Sequence, residues 1–499
     1  MSTEHVRIAI VGSGFAGLGM AIRLRRDGVE DFVVLERGDD VGGTWRDNSY
    51  PGAACDVPSR LYSFSFALNA DWSRSFSPQH EILDYLRDCA QRFGVRDRIR
   101  LRTTVEAAEW DEEARVWRVR TDRGELTADL LVSAAGGLSD PKLPGIPGIE
   151  RFEGALFHSA AWDQDHDLTG ERVAVVGTGA SAIQIVPAIQ PRVAQLDLYQ
   201  RTPAWVIPRH DRDFTRLERF LYRRLPVLQR LARAAIYWGR EFYVLGFTSQ
   251  RWLMKGPERI ARRLLRRQVP DRELRRRLTP RYDIGCKRIL ISNDFYPAVS
   301  QSNVDLVTAP IAEVRERSVV TADGEERPTD TIVFATGFQV TPPPIAQRIH
   351  GRSGATLAEV WAEAGMQAHR GTTVAGFPNL FFLVGPNTGL GHTSIVHVIE
   401  SQVQYVRDAL RTMERRGLAA VEPRPEAQSA WNRAVQARLR GSVWQAGGCA
   451  SWYADEHGRI TTLWPGYTFR LRQLLREFDA ENYRLEPRVP ARVPEPAFA

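Results

Sequence analysis

The sequence predicts an α/β protein with two nucleotide-binding sheets, and three observations predict it. The first is VRIAIVGSGFAGLGMAIRLRRDGVEDFVVLER. An apolar strand from Val6 to Val11 meets Gly12-x-Gly14-x-x-Gly17, a helix follows, and a second strand from Phe32 to Leu35 ends at Glu36. The second observation is a repeat, ERVAVVGTGASAIQIVPAI, in which Gly177-x-Gly179-x-x-Ala182 joins strand to helix and LDLYQR supplies the next strand. The third is the return of apolar strands breaking into small residues, LLVSAAGG from Leu130 and TIVFATGF up to Phe338. Such segments suit a chain that passes from one sheet to the other and back. Together they read as two Rossmann-like dinucleotide-binding domains, the second with a helical insertion.

The two motifs differ where a cofactor would be read. Glycines allow the tight turn and let backbone approach a pyrophosphate at the helix N-terminus. Glu36 stands 22 residues beyond Gly14, placed to accept hydrogen bonds from a ribose. Arg201 stands 22 residues beyond Gly179, and an arginine suits a 2′-phosphate. The first fold therefore suits FAD and the second NADPH. Ala182, in place of a third glycine, is still small enough for helix–strand packing.

A chain of 499 residues is long enough for two or three domains, and 43% hydrophobic with 25% charged residues is ordinary for a globular protein. Cys55, Cys89, Cys286 and Cys449 are far apart with no CxxC pair, which argues against a disulfide framework, a metal site or a dithiol redox centre. The N-terminus enters a strand at once and no run of 18 apolar residues exists, so the chain reads as cytoplasmic with no membrane span.

Charge is uneven. Residues 209–288 carry 23 Arg and Lys against 8 Asp and Glu, a surplus of 15, so the rest of the chain nets −8 of a total of +7. Apolar residues at three- and four-residue spacing with arginine between them make this segment helical. Two readings stand: solvated arginine faces on amphipathic helices, or attraction of residues 209–280 to an anionic cofactor or lipid surface. Nucleic acid is disfavoured, since no binding motif accompanies the charge.

Two loops complete the picture. GGTWRDNSYPGAACD, from Gly42 to Asp56, is too rich in glycine and proline for regular structure and suits a flat ligand held against backbone. Near the end, LFFLVGPNTGLGHTSIVHVIE gives a strand, a turn at Gly385-Pro386-Asn387 and a helix from about Thr393. Its N-terminus is suited to face the flavin ring.

FAD fold, NADPH fold and return, in that order, resemble the class B flavoprotein monooxygenases. Over residues 5 to about 480 the chain resembles their Baeyer–Villiger branch. Two signatures carry the resemblance: Phe152, Gly154, His158, Trp162 and Asp163 in FEGALFHSAAWD, and Gly42, Gly43, Trp45, Tyr50, Pro51, Gly52 and Asp56 in the first loop. Asp163 stands where related N- and S-oxygenating enzymes typically have a basic residue.

The resemblance implies an NADPH- and O2-dependent conversion of a ketone to an ester or lactone through a C4a-peroxyflavin, with sulfides as further substrates. Arg288 would be the fixed cation for the peroxide, and Asp56 would pair with it. Gly43, Thr44 and Trp45 would lie along FAD, with Asn387 beside it. Lys287, Arg201 and Thr202 would surround the NADPH 2′-phosphate. Trp452 would contact the nicotinamide cofactor's ribose, although Ala454-Asp455 follows SWY where some relatives have Gly-Ala-Asn. His158 and Trp162 would lie in a linker that couples domain motion, outside the chemistry.

The implied division is an FAD-binding domain of residues 1–145 and 336–485 around an NADPH-binding domain of 146–335, with the insertion at about 209–280 and a disordered tail at 486–499. An N- or S-oxygenating enzyme of the same architecture and a non-catalytic flavin protein are the alternatives. A flavin disulfide reductase is set aside for want of paired cysteines.

Overall fold

The computed structural model describes residues 4–488. The first sheet has eight strands. Glu4–Val11 lies at its centre, parallel to Phe32–Leu35 on one side and to Gly124–Ser133 on the other. All four residues of Phe32–Leu35 are buried, as expected of a strand covered on both faces. An antiparallel pair, Val105–Asp111 and Val116–Thr121, extends the sheet on the Gly124–Ser133 side. Leu380–Phe382, from far along the chain, joins parallel to that same strand.

The second sheet is five-stranded and wholly parallel. Its spatial order is Val304–Val307, Gln195–Tyr199, Arg172–Val176, Thr331–Phe334 and Ala155–His158. Strand order reverses beside Arg172–Val176, where doubly wound sheets open a crevice for ligands. His158 thus ends an edge strand of this sheet, and its ring meets Phe338 edge-on at 5.7 Å. The signature read as a linker is therefore partly a strand.

The helical segment begins later than the charge pattern suggested. Helices run over Arg216–Arg224, Pro226–Glu241, Tyr243–Thr248, Lys255–Gln268 and Arg272–Arg277. The break at Leu225 precedes Pro226, which disfavours helical backbone in the residue before it. Helix Pro226–Glu241 packs against the short turn Ser59–Leu61 of the first domain, and Arg233 donates to the Arg60 carbonyl at 2.9 Å. The apolar side chains of this helix point mainly outward, unlike the buried apolar face expected of an amphipathic helix.

Other expectations change at the ends of elements. Tyr483–Pro487 forms a strand paired antiparallel to Leu418–Pro423, so residues 486 and 487 are ordered by backbone pairing. Residues 489–499 lie outside the described residues. One helical turn, Thr44–Asp47, interrupts the first glycine-rich loop. The late helix runs over Ile395–Arg416, with the Ser394 hydroxyl accepting from the Val396 N–H as its cap.

His397 lies in the first turn of that helix and stacks tilted on Tyr237 at 4.8 Å. Burial, then the charges of Arg233 and Arg472, push its imidazole down to about 3. The folded protein therefore keeps His397 neutral, whereas the unfolded chain protonates it near its ordinary value of 6.5. Stability from this group is intact above that value and falls with pH below it, by up to about 1.4 kcal/mol per pH unit. His397→Phe should flatten that part of the acid limb in urea unfolding between about pH 6.5 and 5. An unchanged slope would place the proton uptake elsewhere.

Candidate functional site

The first loop is fastened to the second domain. Gly52 adopts φ +82°, and a Cβ there would come within 2.6 Å of the Gln184 carbonyl oxygen. The Gln184 side chain takes up the loop's polar groups: Tyr50 donates its hydroxyl to Oε1 at 3.0 Å, and Nε2 donates to the Ala54 carbonyl at 3.0 Å. Trp45 Nε1 donates to the Tyr62 hydroxyl at 3.1 Å, and the Thr44 hydroxyl contacts the Leu138 carbonyl at 3.4 Å. This anchoring sends Asp56 across the domain boundary.

Asp56 meets Arg288 in a two-point ion pair: Nε donates to Oδ2 at 2.5 Å and Nη2 to Oδ1 at 2.6 Å. Both side chains are part-exposed at the junction. Burial pushes the Asp56 carboxyl up, but the Arg288 charge and hydrogen bonds outweigh it and hold the carboxyl below its ordinary value. Asp56 in turn keeps the guanidinium firmly protonated. The structure brings together the two residues that the resemblance paired.

Two neighbours escaped sequence reasoning. Arg240, at the inner end of helix Pro226–Glu241, donates Nε to the His392 carbonyl at 2.8 Å. Burial lowers its guanidinium below the usual value while Asp56 draws it back, so it stands as a second cation behind the pair. Nothing local distinguishes Arg240 among so many arginines. Tyr453 is buried beside Arg288, and burial pushes its hydroxyl up to about 12. Its adjacency to Trp452 was the only signal. Trp452 itself is exposed and rests on Tyr453 at 4.5 Å.

A covalent tie corrects the reading of the cysteines. Cys286 and Cys449 form a disulfide with Cα atoms 6.2 Å apart, across 163 residues of sequence. The link joins the segment bearing Lys287 and Arg288 to the segment bearing Trp452 and Tyr453. Pairing between cysteines so distant leaves no spacing pattern to read. Cys55 and Cys89 are free and buried, and among the described residues no cluster suited to a metal is found.

The remaining candidates fall into two nucleotide cradles. In the first, a Cβ on Gly12 would lie 2.7 Å from the Ala134 carbonyl oxygen, and one on Gly17 would lie 1.8 Å from the Gly12 oxygen. Packing alone demands those two glycines. At Gly14 the nearest atom would be the Gly43 Cα at 3.8 Å, and at Gly179 nothing would lie within 4 Å. The middle glycines keep clear a space that the protein leaves unfilled, as the approach of a pyrophosphate requires.

Glu36 is buried at the end of its strand, accepting from the Ser13 N–H at 2.8 Å and the Gly38 N–H at 2.8 Å, and pairing with Arg46 at 2.8 Å. In the second cradle, burial and then the charge of nearby Arg201 lower the Lys287 ammonium. Two cations that feel each other's charge, with no carboxylate at ion-pair distance among the described residues, fit an anion such as a 2′-phosphate. The Thr202 carbonyl accepts from the Thr178 hydroxyl at 2.9 Å, and Ala182 begins helix Ala182–Ile189. Asn387 spends its side-chain N–H groups on the Ile460 and Leu463 carbonyls, at 2.9 and 3.1 Å, and so braces the loop it occupies.

Two nucleotide cradles flanking an anchored arginine define a flavoprotein oxygenase of the two-dinucleotide type. The family described as flavin-binding monooxygenase-like matches residues 5–353. A Baeyer–Villiger monooxygenase of Streptomyces coelicolor is 53% identical, across 98% of this chain and 94% of the relative. One of Pseudomonas aeruginosa is 49% identical, across 97% and 92%. Cyclohexanone monooxygenase from Rhodococcus sp. Phi1 bound to NADP+ superposes with a TM-score of 0.87 at 28% identity, covering 98% of this chain and 100% of that one. Steroid monooxygenase bound to NADP gives 0.86 at 32% identity, across 97% and 100%. The chain belongs to the Baeyer–Villiger monooxygenases, FAD- and NADPH-dependent enzymes within the flavin-binding monooxygenases.

The glycines separate fold from ligand. Gly17→Ala should lower unfolding stability by about 1–3 kcal/mol or more in the apoprotein, because backbone must shift. Gly14→Ala should leave apoprotein stability nearly unchanged and instead weaken FAD retention, read as flavin fluorescence released on dilution. Comparable destabilisation by both variants would mean that packing sets both positions.

Proposed function

We propose that the enzyme oxygenates a ketone to an ester or lactone: ketone, O2, NADPH and a proton give ester, water and NADP+. FAD is the bound flavin and, once reduced, supplies the activated oxygen. The first cradle, with Gly12, Gly14, Gly17, Glu36, Gly43, Thr44 and Trp45, holds FAD, and Asn387 braces the loop beside it. The second, with Gly177, Gly179, Ala182, Arg201, Thr202, Lys287 and Trp452, holds NADPH. Residues 4–145 and 336–487 make up the FAD-binding domain and 146–335 the NADPH-binding domain.

The single observation that carries this reading is the two-point Asp56–Arg288 pair across the domain junction. Oxygen transfer to a carbonyl builds negative charge on oxygen, and a fixed cation that never deprotonates stabilises it. Asp56 orients that cation by its fork. Arg240 adds positive potential behind it. The partners in this reading are a small ketone, O2 and, for the basic segment 209–280, an anionic surface, not nucleic acid. The setting is the cytoplasm, where NADPH is supplied.

The direct test is incubation of the purified holoenzyme with NADPH, 18O2 and a panel of ketones, with products read by mass spectrometry. One 18O atom per ester supports the reading, and NADPH consumption without ester from any ketone would sink it. Arg288→Ala should retain flavin reduction by NADPH in stopped-flow absorbance yet lose ester formation by roughly a hundredfold or more, the effect of removing about 3–4 kcal/mol of charge stabilisation. Ester at the wild-type rate would remove Arg288 from the chemistry.

Cofactor choice gives a further check. Arg201→Ala and Lys287→Ala should each raise the KM for NADPH by roughly ten- to a hundredfold, as expected for a lost charge-assisted phosphate contact of about 1.5–3 kcal/mol. The KM for NADH should hardly change. Equal losses for the two nucleotides would show that these cations meet a group common to both.

A further inference from the structure

Helix Pro226–Glu241 presents a stripe of large apolar side chains to solvent. Three of its polar side chains face the protein beside Ile236 and Tyr237: Gln229 Nε2 donates to the Asn69 carbonyl at 2.5 Å, Arg233 to the Arg60 carbonyl at 2.9 Å, and Glu241 accepts from the Thr468 N–H at 3.1 Å. Its opposite face carries Val227, Leu231, Trp238 and Phe242, all exposed, the last three by 61%, 58% and 60%. Steps of four, seven and four residues keep these on one side of a helix. The preceding helix adds Leu217 and Phe220. Eleven of the fifteen large apolar side chains exposed among the described residues lie between Leu217 and Ile260. A contiguous stripe of this kind marks a surface that is covered in use.

Charge selects the cover. Arg216, Arg219, Arg224 and Arg230 belong to these two helices and have no carboxylate at ion-pair distance among the described residues. Of the two acids between residues 216 and 241, Glu218 is engaged by Arg212 and Arg60, and Glu241 is buried. A second copy of the chain would set arginine against arginine about a two-fold axis with no free acid between them. Nucleic acid would pair with the arginines and leave the apolar stripe in water. An anionic bilayer offers both complements, phosphates for the arginines and the headgroup boundary for the leucines and Trp238.

We propose that the helix pair Arg216–Glu241 docks on an anionic phospholipid bilayer, with its apolar stripe in the headgroup boundary and its arginines among the phosphates. This deepens the anionic-surface reading of the basic segment and is independent of the ketone chemistry. No helix among the described residues is long and apolar enough to cross a membrane, so the attachment is peripheral. Arg240, on the inner side of the same helix, lies close to the Asp56–Arg288 pair. The C-terminal end of the docked helix therefore carries a cation whose charge reaches that pair.

The test is flotation of purified holoenzyme with vesicles of phosphatidylcholine alone or mixed with phosphatidylglycerol. Partitioning into the mixed vesicles should exceed that into neutral ones by about tenfold or more, and should fall at roughly 0.5 M salt. Leu231→Ser/Trp238→Ser and Arg224→Ser/Arg230→Ser should each weaken it by about tenfold or more. Bound flavin and vesicle-free NADPH oxidation should stay at wild-type values in both, which separates lost docking from lost folding. Failure of the wild type to float with mixed vesicles, or full retention by both variants, overturns the proposal. So does a concentration-dependent dimer that Leu231→Ser/Trp238→Ser dissolves, since the stripe would then belong to a second copy.

Discussion

The Asp56–Arg288 pair is the contact on which the rest of the site depends. It joins a loop of the first sheet to a loop beyond the second, and nearly every other feature of the junction serves to bring those loops together. As a contribution to stability the pair is modest, because each charge gives up hydration to make it and both remain partly open to solvent. Its value is geometric. Two parallel hydrogen bonds fix the plane of the guanidinium as one could not.

Three further ties hold the junction in register, each of a different kind. Gln184 is a hydrogen-bonding clamp, with one amide serving two groups of the first loop. Gly52 is a steric fit, a backbone-on-backbone contact with the helix that carries Gln184. The Cys286–Cys449 disulfide is covalent, and it couples the arginine's own segment to the C-terminal part of the chain. In the chain-entropy picture, a cross-link spanning so long a loop restricts the unfolded ensemble more than a short one would.

What could be read in advance follows from locality. Both nucleotide turns, their strands and their helices are written in runs of about thirty residues, and they stand where the spacing put them. Asp56 was legible through a signature of the family and Arg288 through the Lys287-Arg288 pair that the resemblance matches, each again local. The disulfide, Arg240 and Tyr453 were not legible, because their meaning lies in partners distant in sequence. Periodicity also misled at one place. In Pro226–Glu241 it gave the helix correctly but not which side faces the protein, since hydrogen bonds of Gln229, Arg233 and Glu241 share the inward face with Ile236 and Tyr237.

The strand Leu380–Phe382 completes a sheet whose neighbouring strand ends at Ser133, so the first domain is closed by residues made roughly 250 positions later. During synthesis, at about 5–20 residues per second, that strand edge waits on the order of 10–50 s for its partner. The second sheet, whose five strands lie between Ala155 and Phe334, can form wholly within the interval. The domain that begins the chain is thus the later one to finish. An unpaired, apolar edge persisting for that long is the state in which such a chain is most open to misassociation, and it makes nascent-chain protection a larger concern here than for a protein with its domains in series.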